Sequence, residues 1–277
     1  MNKCNKLELV ATDLDGTLLR DDKSISPDDV RTLLRLGKHG VVRVIATGRN
    51  LQKVRDVITP EMYFDYVVFS SGAGIYDCRR RELLYSANIS EAVANRLIEE
   101  LRQLRQSFFV FAKVPHNHLC YCHLGEMPCA ETIRYYELHR DVAQQLPDVG
   151  VGSSICQFLL IFEYLSDFEA INNHIKTLNH ELKVLRASSP YLSSNAWMEI
   201  FHPDVSKGRA VSRLCRALHV DRQLTLGIGN DYNDIDLLNV TGYSHIAANC
   251  PDDLRSKFLA APDNQHSAFS WCVSRYV

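Results

Sequence analysis

Two carboxylates follow a short apolar run near the start of the chain. Asp13 and Asp15 flank Leu14 and come directly after a predicted strand over residues 7–12. In open α/β sheets, ligands bind beyond the carboxyl ends of the strands, and Gly16 lets the backbone turn sharply there. A carboxylate can act as a nucleophile, move a proton or bind a metal ion. The pattern predicts a metal–phosphate site, and a solvated acidic turn is the alternative that this motif alone leaves open.

Three further strand ends or helix starts carry groups that suit phosphoryl transfer. The predicted strand 41–46 precedes a hydroxyl, a glycine and a cation, and a lysine stands next to the predicted helix 209–218. The predicted strand 224–228 precedes the run Gly-Asn-Asp-Tyr-Asn-Asp. These segments contribute Thr47, Gly48, Arg49, Lys207, Asn230, Asp231, Asn233 and Asp234. Phosphoryl transfer needs a nucleophile, an acid/base, a cation and hydrogen-bond donors, and together the four places supply each of them.

The order of predicted elements indicates the fold class. A β-α-β-α-β succession over the first part of the chain predicts an α/β fold with a doubly wound, mostly parallel sheet. The chain has 277 residues, which is more than one small core usually organises. We predict a core domain formed by residues 1–86 and 188–277, with an α+β cap domain inserted over residues 87–187.

Composition limits the class of protein. The net charge of −2 provides no basic footprint, so nucleic acid is not an expected partner. We find no apolar run long enough to span a membrane and no signal-peptide pattern at residues 1–6. The nine cysteines show no disulfide framework, which is typical of reduced thiols. We therefore expect a cytoplasmic protein without a nucleic-acid or membrane partner, and a monomer or a weak homodimer.

The motifs together resemble those of the haloacid dehalogenase (HAD) superfamily of phosphohydrolases, and in particular its Cof-like branch with an inserted α/β (C2-type) cap. The similarity extends over nearly the whole chain. It rests on the Asp-x-Asp-Gly-Thr-Leu run at 13–18, the Ala-Thr-Gly-Arg run at 46–49 and the segment 199–208 that contains Lys207. Ser71-Gly72-Ala73 stands where many relatives have Asn-Gly-Ala.

The resemblance implies a role for each matched residue. Asp13 would attack phosphorus and form an aspartyl-phosphate, while Asp15 would exchange protons with the leaving group and the water. Thr47 and Lys207 would hold the phosphoryl oxygens. Mg²⁺ would bind the Asp13 carboxylate, the Asp15 backbone carbonyl and a group from the fourth motif. Gly48, Arg49 and Asn233 complete the predicted phosphate and substrate contacts.

The fourth motif departs from the family pattern Gly-Asp-x-x-Asn-Asp. Asn230 occupies the place of the usual metal-ligating Asp. An amide oxygen can bind Mg²⁺ but brings no negative charge, which weakens the expected affinity for the metal. Asp231 is the alternative metal ligand, and its alternative role is to cap the next helix. Asp234 either binds the metal directly or lies next to a residue that does.

A second group of possible metal ligands lies in the predicted cap. On a continuous strand, His116, His118, Cys120 and Cys122 would share one face, and such side chains are typical zinc ligands. Four successive positions on one face span roughly 20 Å, so a single ion cannot collect them all. We favour an ordinary cap strand with small buried thiols.

These observations predict a Mg²⁺-dependent phosphatase that acts on a small phosphate monoester, a sugar phosphate by preference. Two alternatives stay open. A related sugar phosphomutase would use the same nucleophile and retain the phosphoryl group. A sugar-phosphate-binding protein with weakened catalysis would follow if Asn230 prevents metal binding.

Overall fold

The computed structural model describes residues 7–178, 182–192 and 194–277. The chain begins with alternating strands and helices, in the predicted order. The strands of this first segment are β1 (Leu9–Thr12), β2 (Val42–Ala46), β3 (Tyr66–Phe69), β4 (Gly74–Asp77) and β5 (Glu82–Ser86). The helices are α1 (Pro27–Lys38), α2 (Leu51–Arg55) and α3 (Pro60–Tyr63).

The middle of the chain forms a second group of elements. Its strands are β6 (Phe108–Ala112), β7 (Cys120–His123), β8 (Ala143–Gln145), β9 (Ile155–Phe162), β10 (Lys183–Ser188) and β11 (Ala196–Phe201). Its helices are α4 (Glu91–Gln103), α5 (Ala130–Leu138) and α6 (Leu165–Leu178). The last segment contains α7 (Lys207–Leu218), β12 (Thr225–Gly229), α8 (Ile235–Val240), β13 (Tyr243–Ala247), α9 (Asp252–Arg255), β14 (Leu259–Ala261) and α10 (Ala268–Val273).

Two sheets organise these elements. The first has the order β14-β13-β12-β1-β2-β3-β4-β5 and is parallel from β14 through β3. The strand order reverses on either side of β1, which makes the ends of β1 and β12 a topological switch point where ligands bind in such folds. The second sheet has the order β10-β11-β9-β6-β7-β8 and is mostly antiparallel. The predicted α/β core with an inserted α+β unit is therefore confirmed.

Local sequence explains where the helices begin. Ser26, Asn50 and Ser90 stand directly before α1, α2 and α4, and each side chain accepts a backbone N–H from the first turn. Such caps satisfy donors that have no partner within the helix. The starts of these helices are therefore encoded by single residues of the local sequence.

The second domain boundary differs from the prediction. Contacts divide the chain into one unit of residues 1–85 and 206–277 and another of residues 86–205. The predicted return to the first unit at residue 188 is too early, because β11 pairs with β10 and β9 in the second sheet. The buried residues Met198 and Ile200 of β11 belong to the hydrophobic core of the second unit. The apolar pattern of β11 is equally typical of a strand in the first unit, so the sequence alone does not assign it.

The candidate zinc ligands do not share one strand face. Strand β7 begins at Cys120, and His116 and His118 lie in the preceding loop. Cys120 and Cys122 are buried, and burial raises the pKa of each thiol to about 12. Within the described ranges, no group of three or more His, Cys, Asp or Glu side chains is arranged to hold a metal ion. The thiols therefore pack as small apolar side chains.

Two further findings concern the chain as a whole. The eight cysteines in the described residues are all free, and Cys4 lies outside those residues. Among the helices that the structure describes, none has the length and apolar character needed to cross a membrane.

Candidate active site

A buried lysine links two carboxylates at the ends of β1 and β12. Lys207 is the first residue of α7, and its Nζ donates to Asp13 Oδ1 at 2.8 Å and to Asp234 Oδ1 at 2.7 Å. A longer bond of 3.2 Å reaches Asn233 Oδ1. The Lys207 side chain is 1% exposed and that of Asp13 is 8% exposed. A cation is thus held beside a carboxylate in a protected site, with Asn233 next to it.

The loop after β12 is shaped around Asp234. Its second carboxylate oxygen accepts the backbone N–H groups of Asn230 at 2.9 Å and Asp231 at 3.0 Å. Asp231 stands directly before a short 3-10 turn over Tyr232–Asp234. Both Asp234 oxygens therefore already accept hydrogen bonds from the protein, which orients Lys207 and closes the loop.

Asp15 lies in a different electrostatic environment. Arg49 donates to both of its oxygens, through Nε to Oδ2 and through Nη2 to Oδ1 at 2.8 Å, and Lys23 Nζ donates to Oδ1 at 2.9 Å. Burial alone raises the pKa of Asp15, but the hydrogen bonds and charges of Arg49 and Lys23 lower it to about 2. Asp15 is therefore ionised at neutral pH.

The loop after β2 is held by the turn after β3. Thr47 is buried, and its hydroxyl accepts the Arg49 backbone N–H at 3.2 Å. The backbone N–H of Ser71 donates to the Thr47 carbonyl at 2.9 Å, and that of Ser70 donates to the Arg49 carbonyl at 2.8 Å. Ser70 and Ser71 have φ values of +48° and +54°, a region that costs energy for residues other than glycine. The fold accepts this strain to fix the Thr47–Arg49 segment.

Gly72 allows the turn after β3 to approach the start of α7. Its φ is +103°, and a Cβ at this position would clash with the backbone carbonyl of Ser206. We expect Gly72→Ala to lower the free energy of unfolding by about 2–3 kcal/mol, because both the conformation and the contact oppose a side chain. Urea unfolding measures the loss. Gly40→Ala is the matched control, since Gly40 has a φ of +73° but open space around its Cβ position. A loss no greater than that of the control would contradict the contact argument.

Two amides hold the turn after Asp15. Asn230 Oδ1 accepts the Thr17 hydroxyl at 3.0 Å, and Asn249 Nδ2 donates to the Gly16 carbonyl at 2.9 Å. A Cβ at Gly16, whose φ is +70°, would contact both amide groups. Asn249 and Lys23 are the residues that the sequence analysis missed. The available signal for Asn249 was its place just beyond β13 at the same sheet edge, whereas no spacing pattern indicated Lys23.

Burial affects the protonation of Asp13. It raises the pKa of this carboxyl from 3.8 to about 8, although Lys207 opposes the shift. Between these two values the native state binds more protons than the unfolded state, so the stability of metal-free protein falls as pH rises. With Asn at position 13, this loss disappears.

We therefore expect the stability advantage of Asp13→Asn over wild type, measured in EDTA, to grow by at least about 1 kcal/mol from about pH 5 to about pH 8. Urea unfolding across that range provides the comparison. Parallel stability curves for the two proteins would show that Asp13 does not titrate in this window.

The structure thus brings six of the predicted residues together in two groups, and the residues within each group are in contact. Asp13, Lys207, Asn233 and Asp234 form the buried set, and Asp15 and Arg49 form the more exposed set. Asn233 Nδ2 also lies near Gly48, 3.5 Å from the position that a Cβ would take there. Asn230 lies against the turn after Asp15, while Asp231 contacts Asp234 through its backbone. A carboxylate beside a buried cation, followed by a second carboxylate held by two cations, is suited to nucleophilic chemistry on an anionic substrate.

Comparison with known proteins identifies the family. The model of the haloacid dehalogenase-like hydrolases matches residues 10–265, and the chain belongs to this family. The resemblance drawn from the motifs is therefore confirmed at the level of the family, and the predicted class of HAD-type phosphatase agrees with the names of its relatives.

Three relatives illustrate the similarity. Phosphatase YwpJ of Bacillus subtilis is 24% identical, with 90% of this chain and 92% of the relative covered. The HMP-PP phosphatase of Serratia proteamaculans is 23% identical, with 90% of this chain and 86% of the relative covered. Among solved structures, the HAD subclass IIB sugar phosphatase BT4131 superposes with a TM-score of 0.76 at 14% identity, covering 97% of this chain and 98% of that one. The last comparison concerns the fold alone.

Proposed function

We propose that this protein is a Mg²⁺-dependent phosphohydrolase that removes phosphate from small phosphorylated metabolites, sugar phosphates among them, through an aspartyl-phosphate on Asp13. The observation that carries the proposal is the buried contact between Lys207 and Asp13. A carboxylate beside a cation that can neutralise phosphoryl oxygens supports Asp13 as the nucleophile. The sugar phosphatase and the HMP-PP phosphatase among the similar proteins support this substrate class.

The oxygen donors at the site fit a hydrated Mg²⁺. Asp13 supplies a carboxylate, Asp15 a backbone carbonyl and Asn230 an amide oxygen, and the turn after Asp15 lies against Asn230. Mg²⁺ binds through one or two carboxylates and keeps several waters for exchange with phosphate oxygens. We assign Asp234 to holding Lys207 and the loop rather than the metal, because its two oxygens accept three hydrogen bonds from the protein, whereas Asn230 Oδ1 accepts one, from Thr17. Asp231 is likewise assigned to stabilising this loop, since its backbone N–H donates to Asp234.

A carboxylate at position 230 is expected to strengthen metal binding. Asn230→Asp adds one negative charge next to the proposed ligands, and we expect Mg²⁺ affinity to rise at least about tenfold. Isothermal titration calorimetry with Mg²⁺ measures this without reference to activity. Asp28→Asn, a change on an exposed residue of α1, serves as the control that leaves the affinity unchanged. Equal affinity in wild type and Asn230→Asp would place the metal away from residue 230.

In the first step, an oxygen of the ionised Asp13 carboxylate, the form that Lys207 favours, attacks phosphorus while the bond from phosphorus to the leaving oxygen breaks. Lys207 and the Thr47 hydroxyl would bind the phosphoryl oxygens, and Mg²⁺, when bound, would add further charge neutralisation. The leaving oxygen takes a proton from Asp15. Asp15 is ionised at rest, so it must first loosen its contacts with Arg49 and Lys23 and take up a proton from solvent, which it then delivers to the leaving oxygen.

In the second step, Asp15 acts as a base. It takes a proton from a water molecule, whose oxygen attacks phosphorus as the bond to Asp13 breaks, and inorganic phosphate leaves. The ionised state that Arg49 and Lys23 maintain suits this role directly. Asp13 is restored, with Lys207 still in contact.

The proposal is tested by phosphate release from a panel of sugar phosphates and p-nitrophenyl phosphate, with Mg²⁺ or with EDTA. We expect release with Mg²⁺ and its loss with EDTA. Pure folded protein that releases no phosphate from any member of the panel would overturn the proposal. Conversion of one sugar phosphate into its isomer without free phosphate would replace it with a mutase.

A further inference from the structure

The Asp15 carboxylate faces more positive charge than it neutralises. Arg49 and Lys23 both donate to it, so the three side chains of Asp15, Arg49 and Lys23 together carry one surplus positive charge. In the buried set, Lys207 lies between the carboxylates of Asp13 and Asp234, and Asn230 adds no charge. The surplus cation is thus on the side of Asp15, where the proposed leaving group would lie.

Lys23 is the cation of this pair with donors to spare. All three guanidinium nitrogens of Arg49 donate to protein acceptors, two to Asp15 and Nη1 to the Lys53 carbonyl at 3.1 Å. An ammonium group has three donors, and Asp15 is the side chain that receives one of them. The Lys23 side chain is 50% exposed. Within the described part of the chain, Asp15 is the one acceptor of the Lys23 ammonium, so its remaining donors are open to solvent and to a ligand.

The backbone holds Lys23 in place at a cost. Lys23 has a φ of +67°, a backbone conformation that is uncommon for residues other than glycine. The turn is closed by the Arg20 N–H to the Ser24 carbonyl and the Lys23 N–H to the Arg20 carbonyl, both at 2.9 Å. Asp22 accepts the backbone N–H and the hydroxyl of Ser24, so its carboxylate interacts with this turn and not with Lys23. Strain of this type is found where a residue is positioned for binding.

We propose that Lys23, supported by Arg49, binds a second anionic group on the leaving part of the substrate, a phosphate or a carboxylate. This inference rests on the proposed phosphatase function and narrows its substrate class to phosphate esters with two anionic groups. The second anion replaces the Asp15 carboxylate as the hydrogen-bond acceptor of the Lys23 ammonium. Asp15 then keeps only its contact with Arg49 and gains freedom to meet the leaving oxygen.

Two matched pairs of substrates test the inference and distinguish the two anions. Glucose 1,6-bisphosphate against glucose 6-phosphate tests a second phosphate, and 3-phosphoglycerate against glycerol 3-phosphate tests a carboxylate. We expect kcat/KM to favour the doubly anionic member of at least one pair by about tenfold or more, and added salt to reduce this preference.

The variant Lys23→Asn removes the charge with a residue that tolerates the left-handed backbone. We expect it to reduce the preference ratio by about tenfold, whereas Lys23→Arg keeps most of it. Lys38→Asn, at an exposed lysine of α1, is the control that leaves the ratio unchanged. Binding of both substrates to Asp13→Asn by calorimetry provides a second readout.

The outcomes separate this inference from the function on which it rests. Release from the singly and doubly anionic substrates at equal kcat/KM, or an equal loss for both in Lys23→Asn, would overturn the role of Lys23 and keep the phosphatase. No release from any substrate would overturn the phosphatase itself.

Discussion

Asp13→Asn is expected to lower Mg²⁺-dependent phosphate release by at least about 1,000-fold, because an amide oxygen is a poor nucleophile and cannot form the aspartyl-phosphate. The substitution keeps an oxygen in the position that accepts the Lys207 hydrogen bond. The fold should therefore persist, so the loss reports on chemistry. Initial rates with p-nitrophenyl phosphate and with the best sugar phosphate measure the effect.

Asp28→Asn is the matched control for this prediction. Asp28 is an exposed carboxylate of the same unit, and it pairs with Arg31 on the surface of α1. Its removal should change the rate by less than about twofold. Mass spectrometry of acid-quenched wild-type protein should detect one added phosphoryl group, which Asp13→Asn lacks. Phosphorylation of Asp13→Asn, or a rate close to that of wild type, would assign the nucleophile to another residue.

Lys207→Met is expected to cost about 3–5 kcal/mol of stability, because it leaves buried carboxylates without the cation that pairs them. Met has a similar length, so the lost charge dominates over lost volume. Asp234 has a fully buried side chain and forms one of the two ion pairs of Lys207. Urea unfolding at about pH 9, above the pKa of Asp13, measures the loss. Lys257→Met, at a lysine that is 55% exposed, should stay within about 0.5 kcal/mol of wild type.

A double variant keeps this prediction testable if the single variant does not fold. Lys207→Met combined with Asp234→Asn removes one of the unpaired charges, and we expect it to recover about half of the loss. Lower pH should also reduce the cost, since protonated Asp13 needs no counter-ion. A single variant as stable as wild type would show that the buried lysine does not balance these carboxylates.

Sequence and structure agree most closely where the physics is local. The caps Ser26, Asn50 and Ser90 follow from hydrogen bonds within one helical turn. The succession of strands and helices along the chain follows from the alternation of apolar runs with helical patterns. The family could be recognised for the same reason, since its motifs are short runs at strand ends. Asp13 and Lys207 were found in this way although they are far apart in the chain.

The domain boundary shows where such reasoning ends. Strand β11 has an apolar pattern that suits either sheet, and only its pairing with β9 and β10 assigns it to the second unit. Likewise, the histidines and cysteines of 116–122 share a face only if the strand is continuous, and β7 starts too late for that.

The sequence by itself determined the fold class, the family and the residues placed at the sheet edge, because strand ends and helix starts are encoded by neighbouring residues. The tertiary structure alone decided how these residues divide their charges. Lys207 lies between Asp13 and Asp234, while Lys23 and Arg49 share Asp15. These pairings join residues from separate loops, and electrostatic interaction depends on distance in space and on burial, neither of which a linear pattern contains.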